Sequence, residues 1–79
     1  MNTENTMKFR KIVIVGSGSI GTAMAQALAS NDELDTTILS IEPEVIDEIN
    51  HFHRNSKYFR GFRLASEVKA TADKSVLRE

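Results

Sequence analysis

The chain has 79 residues, enough for one small domain, and 41% of them are hydrophobic, which favours a folded core over a disordered segment. Ten basic and eleven acidic residues leave a net charge of −1, so we expect no nucleic-acid or membrane partner, and the lack of cysteine excludes disulfides and thiolate metal sites. No apolar run approaches the roughly 18 residues that cross a bilayer, and residues 1–7 lack the features of a signal peptide, so the expected location is the cytoplasm.

The first half of the chain predicts a strand, a helix and a second strand. Residues 1–8 are polar, and we expect them to be a flexible lead-in to a domain over residues 9–79. Residues 9–15 include four consecutive β-branched residues, which is typical of a strand buried on both faces in a parallel sheet. Residues 36–41 predict the second strand. The helix between them is expected to end at Ser30-Asn31-Asp32 and to bury the stripe Ile20, Ala23, Met24, Ala27 and Leu28.

The second half of the chain predicts another helix and a third, short strand. The helix opens at Glu42, with Pro43 in its first position, where the absent N–H costs nothing. Its inward stripe is expected to be Val45, Ile46, Ile49 and Phe52 or His53, with Met24 and Phe52 both packed in the core. Residues 55–61 are a predicted loop, 68–71 a strand and 72–79 the start of a helical turn. The resulting β-α-β-α-β order predicts an α/β fold with right-handed crossovers and a small parallel sheet.

A glycine pattern between the first strand and the first helix predicts dinucleotide binding. Gly16 permits a tight turn, Gly18 lets the backbone approach a pyrophosphate, and Gly21 lets the helix pack near the strand. The N–H groups of residues 19–21 would face the phosphates, and Ser19 would either cap the helix or donate to a phosphate. Glu42 follows Gly21 by 21 residues, where a carboxylate accepts hydrogen bonds from ribose hydroxyls. The alternative is a glycine-rich turn without any ligand.

Three segments of the chain resemble the N-terminal domain of the NAD(P)-dependent glycerol-3-phosphate dehydrogenases. Residues 16–25, Gly-Ser-Gly-Ser-Ile-Gly-Thr-Ala-Met-Ala, are similar to the family signature G-x-G-S-W-G-T-A-x-A. Residues 48–61 match the stretch E-I-N-x-x-x-x-N-x-x-Y-x-x-G, and residues 70–73 match A-T-x-D. The resemblance covers roughly residues 8–75. It implies a partial Rossmann-like unit, the first mononucleotide-binding part of an oxidoreductase that interconverts sn-glycerol 3-phosphate and dihydroxyacetone phosphate in glycerophospholipid metabolism.

The resemblance also implies which residues contact the cofactor. It places Ile41 and Glu42 at the adenosine ribose and Tyr58 near the cofactor. The residues that it places at the cofactor phosphates are Gly16, Gly18, Ser19, Ile20 and Gly21. Ile20 stands where the family usually has tryptophan. Ile41 and Glu42 stand where bacterial members often have histidine or arginine, so no cation is expected there to neutralise a 2′-phosphate. The implied cofactor is therefore NAD, with NADP disfavoured.

The length of the chain departs most from the family. Its members have several hundred residues, and their catalytic lysine and substrate pocket lie in a C-terminal domain, so we expect this chain alone not to catalyse hydride transfer and assign it no catalytic residue. It would be a fragment, a remnant or one piece of a split enzyme. Without a fourth strand, the edge of residues 12–15 should be open, and we expect it to be covered by self-association, strand exchange or a C-terminal domain. The alternative function is thus a non-catalytic assembly module.

Weaker signals have simpler interpretations. His51 and His53 would point in nearly opposite directions on a helix, so no metal site is expected. Ser17, Ser19 and Thr22 have no base nearby that would make one of them a nucleophile. The basic residues from 54 to 63 have aromatic residues between them, and three interpretations fit this pattern. A solvated rim is favoured over partial contact with a cofactor, and nucleic-acid binding is the least favoured of the three.

Overall fold

Three parallel strands and two helices alternate along the chain in a computed structural model, which describes residues 10–78. The elements in chain order are β1 (Arg10–Val15), α1 (Ser19–Ala29), β2 (Leu34–Leu39), α2 (Pro43–Phe52) and β3 (Lys69–Thr71). A short 3-10 helix, Lys74–Arg78, follows β3. This order confirms the predicted β-α-β-α-β unit and its α/β class. The predicted lead-in over residues 1–8 lies outside the described residues.

The three strands form one sheet in the order β1-β2-β3, and both pairings are parallel. Val15 pairs with Leu39, which pairs with Thr71, so the strands end level at the carboxyl edge of the sheet. No other strand of residues 10–78 lies beyond β1, which agrees with the edge position predicted for it. In such sheets ligands bind beyond the carboxyl ends of the strands, so this edge is the place to look for a site.

One face of the sheet carries both helices. Ile14, Ile38 and Ala70 occupy one row of the register, and they pack with residues of α1 and α2 in a single core. The buried members of that core are Ala25, Ala29, Ile38, Val45, Ile49, Leu64, Val68 and Ala70. Val15 lies on the opposite face and is 72% exposed. The prediction that β1 is buried on both faces was therefore wrong, because β1 is an edge strand and the helices cover one side.

Helix α1 is rotated relative to the prediction. Its buried residues are Thr22, Ala25 and Ala29, whereas Ile20 and Met24 are 78% and 53% exposed. The small residues face the sheet because the helix packs close to it, and a close approach leaves no room for long side chains on that side. The predicted stripe from Ile20 to Leu28 and the core position of Met24 were wrong. The end of the helix was right, since Ser30 is its C-cap.

Helix α2 follows the prediction more closely. Pro43 is its first residue, and Val45 and Ile49 are fully buried. The backbone of His53 turns into the left-handed conformation, with φ of 58°, and ends the helix. Phe52, placed in the core by the sequence, is instead 64% exposed at the end of the helix.

Two strands begin or end elsewhere than predicted. β2 runs over Leu34–Leu39 rather than 36–41, which leaves Ile41 beyond the strand and 87% exposed. β3 begins at Lys69 rather than at residue 68. Neither helix in the described part of the chain is long and apolar enough to span a bilayer.

Candidate functional site

The glycine-rich turn joins β1 to α1 at the carboxyl edge of the sheet. Gly16 has a φ of 104°, a conformation that favours glycine, and its N–H donates to the Leu39 carbonyl at 2.8 Å. Gly18 is the N-cap of α1, and no side chain caps the helix. The amides of the first turn, which have no partner within a helix, are therefore left for a ligand. Ser19 is the first helical residue and not the cap, so only its predicted role as a phosphate donor stands.

Gly18 and Gly21 are glycines for different reasons. A Cβ at Gly21 would lie 2.8 Å from the Gly16 carbonyl oxygen and 3.3 Å from Ile14 Cγ2, so the close packing of α1 on β1 requires glycine. A Cβ at Gly18 would meet nothing within 4 Å, and the φ of Gly18 is an ordinary −67°. The fold therefore does not need glycine at position 18, and the open space there is consistent with the close approach of a ligand.

A cavity of about 340 Å³ opens beside this turn. Residues 15–17, at the end of β1 and in the turn, and residues 39–42, at and after the end of β2, line it, together with Ala72 and Lys74 after β3. It lies at the level where all three strands end, next to the first turn of α1. Its size and position suit the adenosine part of a dinucleotide.

A buried hydrogen-bond network holds the turn in place, and its central residue, Asn55, was not predicted as a site residue. Asn55, fully buried, donates from Nδ2 to the Ser17 carbonyl and to Thr22 Oγ1, both at 2.9 Å. Its Oδ1 accepts from the Tyr58 N–H at 3.2 Å. Ser17 Oγ in turn lies 2.8 Å from Ser40 Oγ, which accepts from the Glu42 N–H. One network therefore links the glycine turn, the end of β2 and the loop after α2.

The carboxylate of Glu42 is held by two side chains from that loop. Its Oε1 accepts from Lys57 Nζ at 2.5 Å and from the Tyr58 hydroxyl at 3.1 Å. The hydrogen bond from Lys57 and then the one from Tyr58 lower the pKa of Glu42, and Glu42 raises the pKa of Lys57 above its ordinary value. Positions 41 and 42 carry no cation, as the sequence indicated, but Lys57 reaches the Glu42 carboxylate from 15 residues further along the chain.

The predicted site residues come together at this edge. Gly16, Ile41 and Glu42 line the cavity, and Tyr58 reaches it through the hydrogen bond to Glu42. The amides of residues 18–21 begin α1 beside it, with the Ile20 side chain exposed to solvent. The signal for Asn55 was present in the sequence as the N-x-x-Y spacing, but spacing alone did not reveal that its amide binds the turn.

The loop after α2 is also anchored at other points. Glu48 accepts hydrogen bonds from the Ser56 N–H at 2.9 Å and from the Ser56 hydroxyl, and these bonds lower the pKa of Glu48. Phe59 packs against the core and stacks on Phe62, with ring centroids 5.0 Å apart. In this segment Phe59 and Phe62 thus serve packing, whereas Lys57 and Tyr58 contact Glu42 at the cavity rim.

Comparison with known sequences identifies relatives of this chain. Residues 11–77 match the model of a family described as NAD-dependent glycerol-3-phosphate dehydrogenase N-terminus. A glycerol-3-phosphate dehydrogenase (NAD(P)+) of Erythrobacter litoralis is 45% identical over 67 residues, which are 85% of this chain and 20% of that protein. One from Bacillus cereus is 48% identical over 60 residues, 76% of this chain and 17% of that protein. The chain thus spans about a fifth of the length of these curated relatives.

Comparison with solved structures agrees with the sequence matches. The crystal structure of a glycerol-3-phosphate dehydrogenase from Coxiella burnetii aligns with a TM-score of 0.73 and 29% identity, covering 87% of this chain and 21% of that one. A glycerol-3-phosphate dehydrogenase from Plasmodium falciparum aligns with a TM-score of 0.72 and 28% identity, covering 84% of this chain and 21% of that one. The α/β unit described above is therefore similar to part of each of these two structures.

Proposed function

Because the chain belongs to the NAD-dependent glycerol-3-phosphate dehydrogenase family, we propose that residues 10–78 bind the adenosine diphosphate part of NAD for an enzyme of that activity. The observation that carries the proposal is the open space at Gly18 beside the uncapped start of α1. A turn that served the fold alone would need no glycine at that position.

The described residues suit the successive groups of the cofactor. The pyrophosphate would accept hydrogen bonds from the amides at the start of α1, where the helix dipole favours negative charge. The adenosine would occupy the cavity, and Glu42 would accept hydrogen bonds from the ribose hydroxyls. These donors and the open space at Gly18 therefore fit a dinucleotide.

The chemistry of the proposed reaction belongs to the cofactor. When bound, NAD would supply the hydride acceptor for the oxidation of the sn-glycerol 3-phosphate alcohol to dihydroxyacetone phosphate, with the hydroxyl proton released. The chain's own residues bind and orient the adenosine end, and we assign no catalytic residue within residues 10–78. The cytoplasmic location and the role in glycerophospholipid metabolism remain predictions.

Two alanine variants test the proposal. Gly18→Ala should lower the free energy of unfolding by no more than about 1 kcal/mol, because the N-cap position favours glycine over alanine but nothing lies near the new Cβ, and it should weaken NADH binding at least tenfold in a fluorescence titration. Gly21→Ala should lose stability, because its Cβ would meet the Gly16 carbonyl at 2.8 Å. Two results would contradict the assignment. The first is that Gly18→Ala binds NADH as tightly as the unsubstituted chain does, and the second is that the unsubstituted chain does not bind NADH.

A second candidate function is assembly through β1, as the sequence analysis expected. It is supported by the position of β1 at the side of the sheet and by the 72% exposure of Val15 on the face without helices. Sedimentation velocity should then give a dimer that Val13→Lys converts to a monomer, because a charge on this strand opposes pairing. A monomer at every concentration would exclude self-association and leave a further domain as the remaining partner.

A further inference from the structure

We propose that Lys57 is a latent phosphate-binding cation at the adenosine site: Glu42 occupies its ammonium, so the site accepts the ribose of NAD and excludes the 2′-phosphate of NADP, and removal of the Glu42 carboxylate would free Lys57 to bind that phosphate. This proposal rests on the proposed function, because it concerns the same adenosine site. It identifies a phosphate-binding cation outside the positions 41 and 42 to which the sequence analysis assigned the ribose.

The geometry at Glu42 supports the first part of the proposal. Both Lys57 and Tyr58 donate to the same carboxylate oxygen, Oε1, at 2.5 and 3.1 Å. Oε2 of Glu42 has no hydrogen-bond partner among residues 10–78. The two loop residues therefore hold the carboxylate in one orientation and leave its second oxygen free to accept from ribose hydroxyls.

The charges around Lys57 support the second part. Its ammonium lies 2.5 Å from Glu42 and 3.7 Å from Glu44 Oε2, so one positive charge faces two negative charges. A 2′-phosphate brought to this point would meet a net negative charge and would have to displace Glu42 from Lys57. If Glu42 were neutral and short, the same ammonium would stand where the 2′-phosphate arrives, and repulsion would become attraction.

A competing cation lies at the same cavity. Lys74, in the 3-10 helix after β3, lines the cavity from the side of β3, whereas Lys57 reaches it at Glu42. Either lysine would attract a phosphate through the general field of the site. Within residues 10–78, Lys74 makes neither a hydrogen bond nor an ion pair with Glu42, so it serves as a matched control with the same charge at the same cavity.

The experiment measures NADH and NADPH dissociation constants for the unsubstituted chain and for Glu42→Ser, alone and combined with Lys57→Met or Lys74→Met. Serine is suitable because residue 42 is the N-cap of α2, a position that serine favours. We expect Glu42→Ser to bind NADPH at least tenfold more tightly than the unsubstituted chain does. Adding Lys57→Met should abolish most of that gain, and adding Lys74→Met should leave most of it.

Urea unfolding of each variant separates loss of folding from loss of binding. If Glu42→Ser gains no NADPH affinity while the unsubstituted chain binds NADH, the specificity proposal is overturned and the proposed function stands. If Lys74→Met rather than Lys57→Met removes the gain, the cation has been misassigned and the proposal is also overturned. If the folded, unsubstituted chain binds neither cofactor, the proposed function fails and this inference fails with it.

Discussion

Removing the amide of Asn55 should destabilise the chain and disorder the glycine turn. Asn55 is fully buried and makes three side-chain hydrogen bonds, to the Ser17 carbonyl, to Thr22 Oγ1 and from the Tyr58 N–H. A hydrogen bond contributes about 1 kcal/mol net, and a buried group left without a partner costs about 1–3 kcal/mol. Asn55→Ala should therefore lower the free energy of unfolding by about 3 kcal/mol, a large share of the stability of a small domain.

Asn50→Ala is the matched control for this prediction. Asn50 also uses its side-chain amide twice, donating to the Ala70 carbonyl and accepting from the Ala70 N–H at 2.8 Å each, but it joins α2 to β3 away from the glycine turn. Urea unfolding should show a smaller loss for Asn50→Ala. NADH titration under conditions where both variants are folded should show weaker binding only for Asn55→Ala. The reasoning would be refuted if Asn55→Ala lost less than about 1 kcal/mol or if both variants weakened binding equally.

Three further predictions concern single residues. Gly16→Ala should lower stability by about 1–3 kcal/mol in urea unfolding, because a φ of 104° strains any L side chain, and an unchanged midpoint would contradict this. The stabilisation from Glu48 should be retained above pH 4.5, its ordinary pKa, and should be lost as the pH falls through its lowered pKa in the folded state. Glu48→Gln should flatten this decline in the free energy of unfolding, and the same decline with pH in the variant and the unsubstituted chain would be evidence against it. Met24→Lys should leave the melting temperature nearly unchanged, because Met24 is 53% exposed, whereas a large loss would restore its predicted core position.

The fold class and the family could be predicted because their signals are local. The β-branched run of β1 favours a strand, the three glycines permit the turn after it, and Pro43 fixes the start of α2, so the order of elements followed. The family model over residues 11–77 confirms the resemblance found in the same segments. NAD, the cofactor expected from the sequence, is also the one that the family's description names.

The face of α1 and the loop contacts could not be predicted because they depend on packing between distant segments. The apolar stripe of α1 indicated Ile20 and Met24, but close contact with the sheet selected Thr22 and Ala25 instead. Asn55 meets Ser17 across 38 residues of sequence. Lys57 reaches Glu42 through a loop whose course is not encoded by any short periodic pattern. Contacts between side chains of two distant loops therefore could not be predicted from the sequence, because only the fold brings those loops together.

The most direct test of the central claim is the thermal unfolding of the chain in rising concentrations of NADH. A ligand that binds only the folded state raises the free energy of unfolding by about 2.7 kcal/mol at one hundred times its Kd. For a domain of this size, the midpoint should then rise by roughly 10–20 °C. We predict such a rise with NADH, and no change at millimolar NADH would contradict dinucleotide binding by residues 10–78.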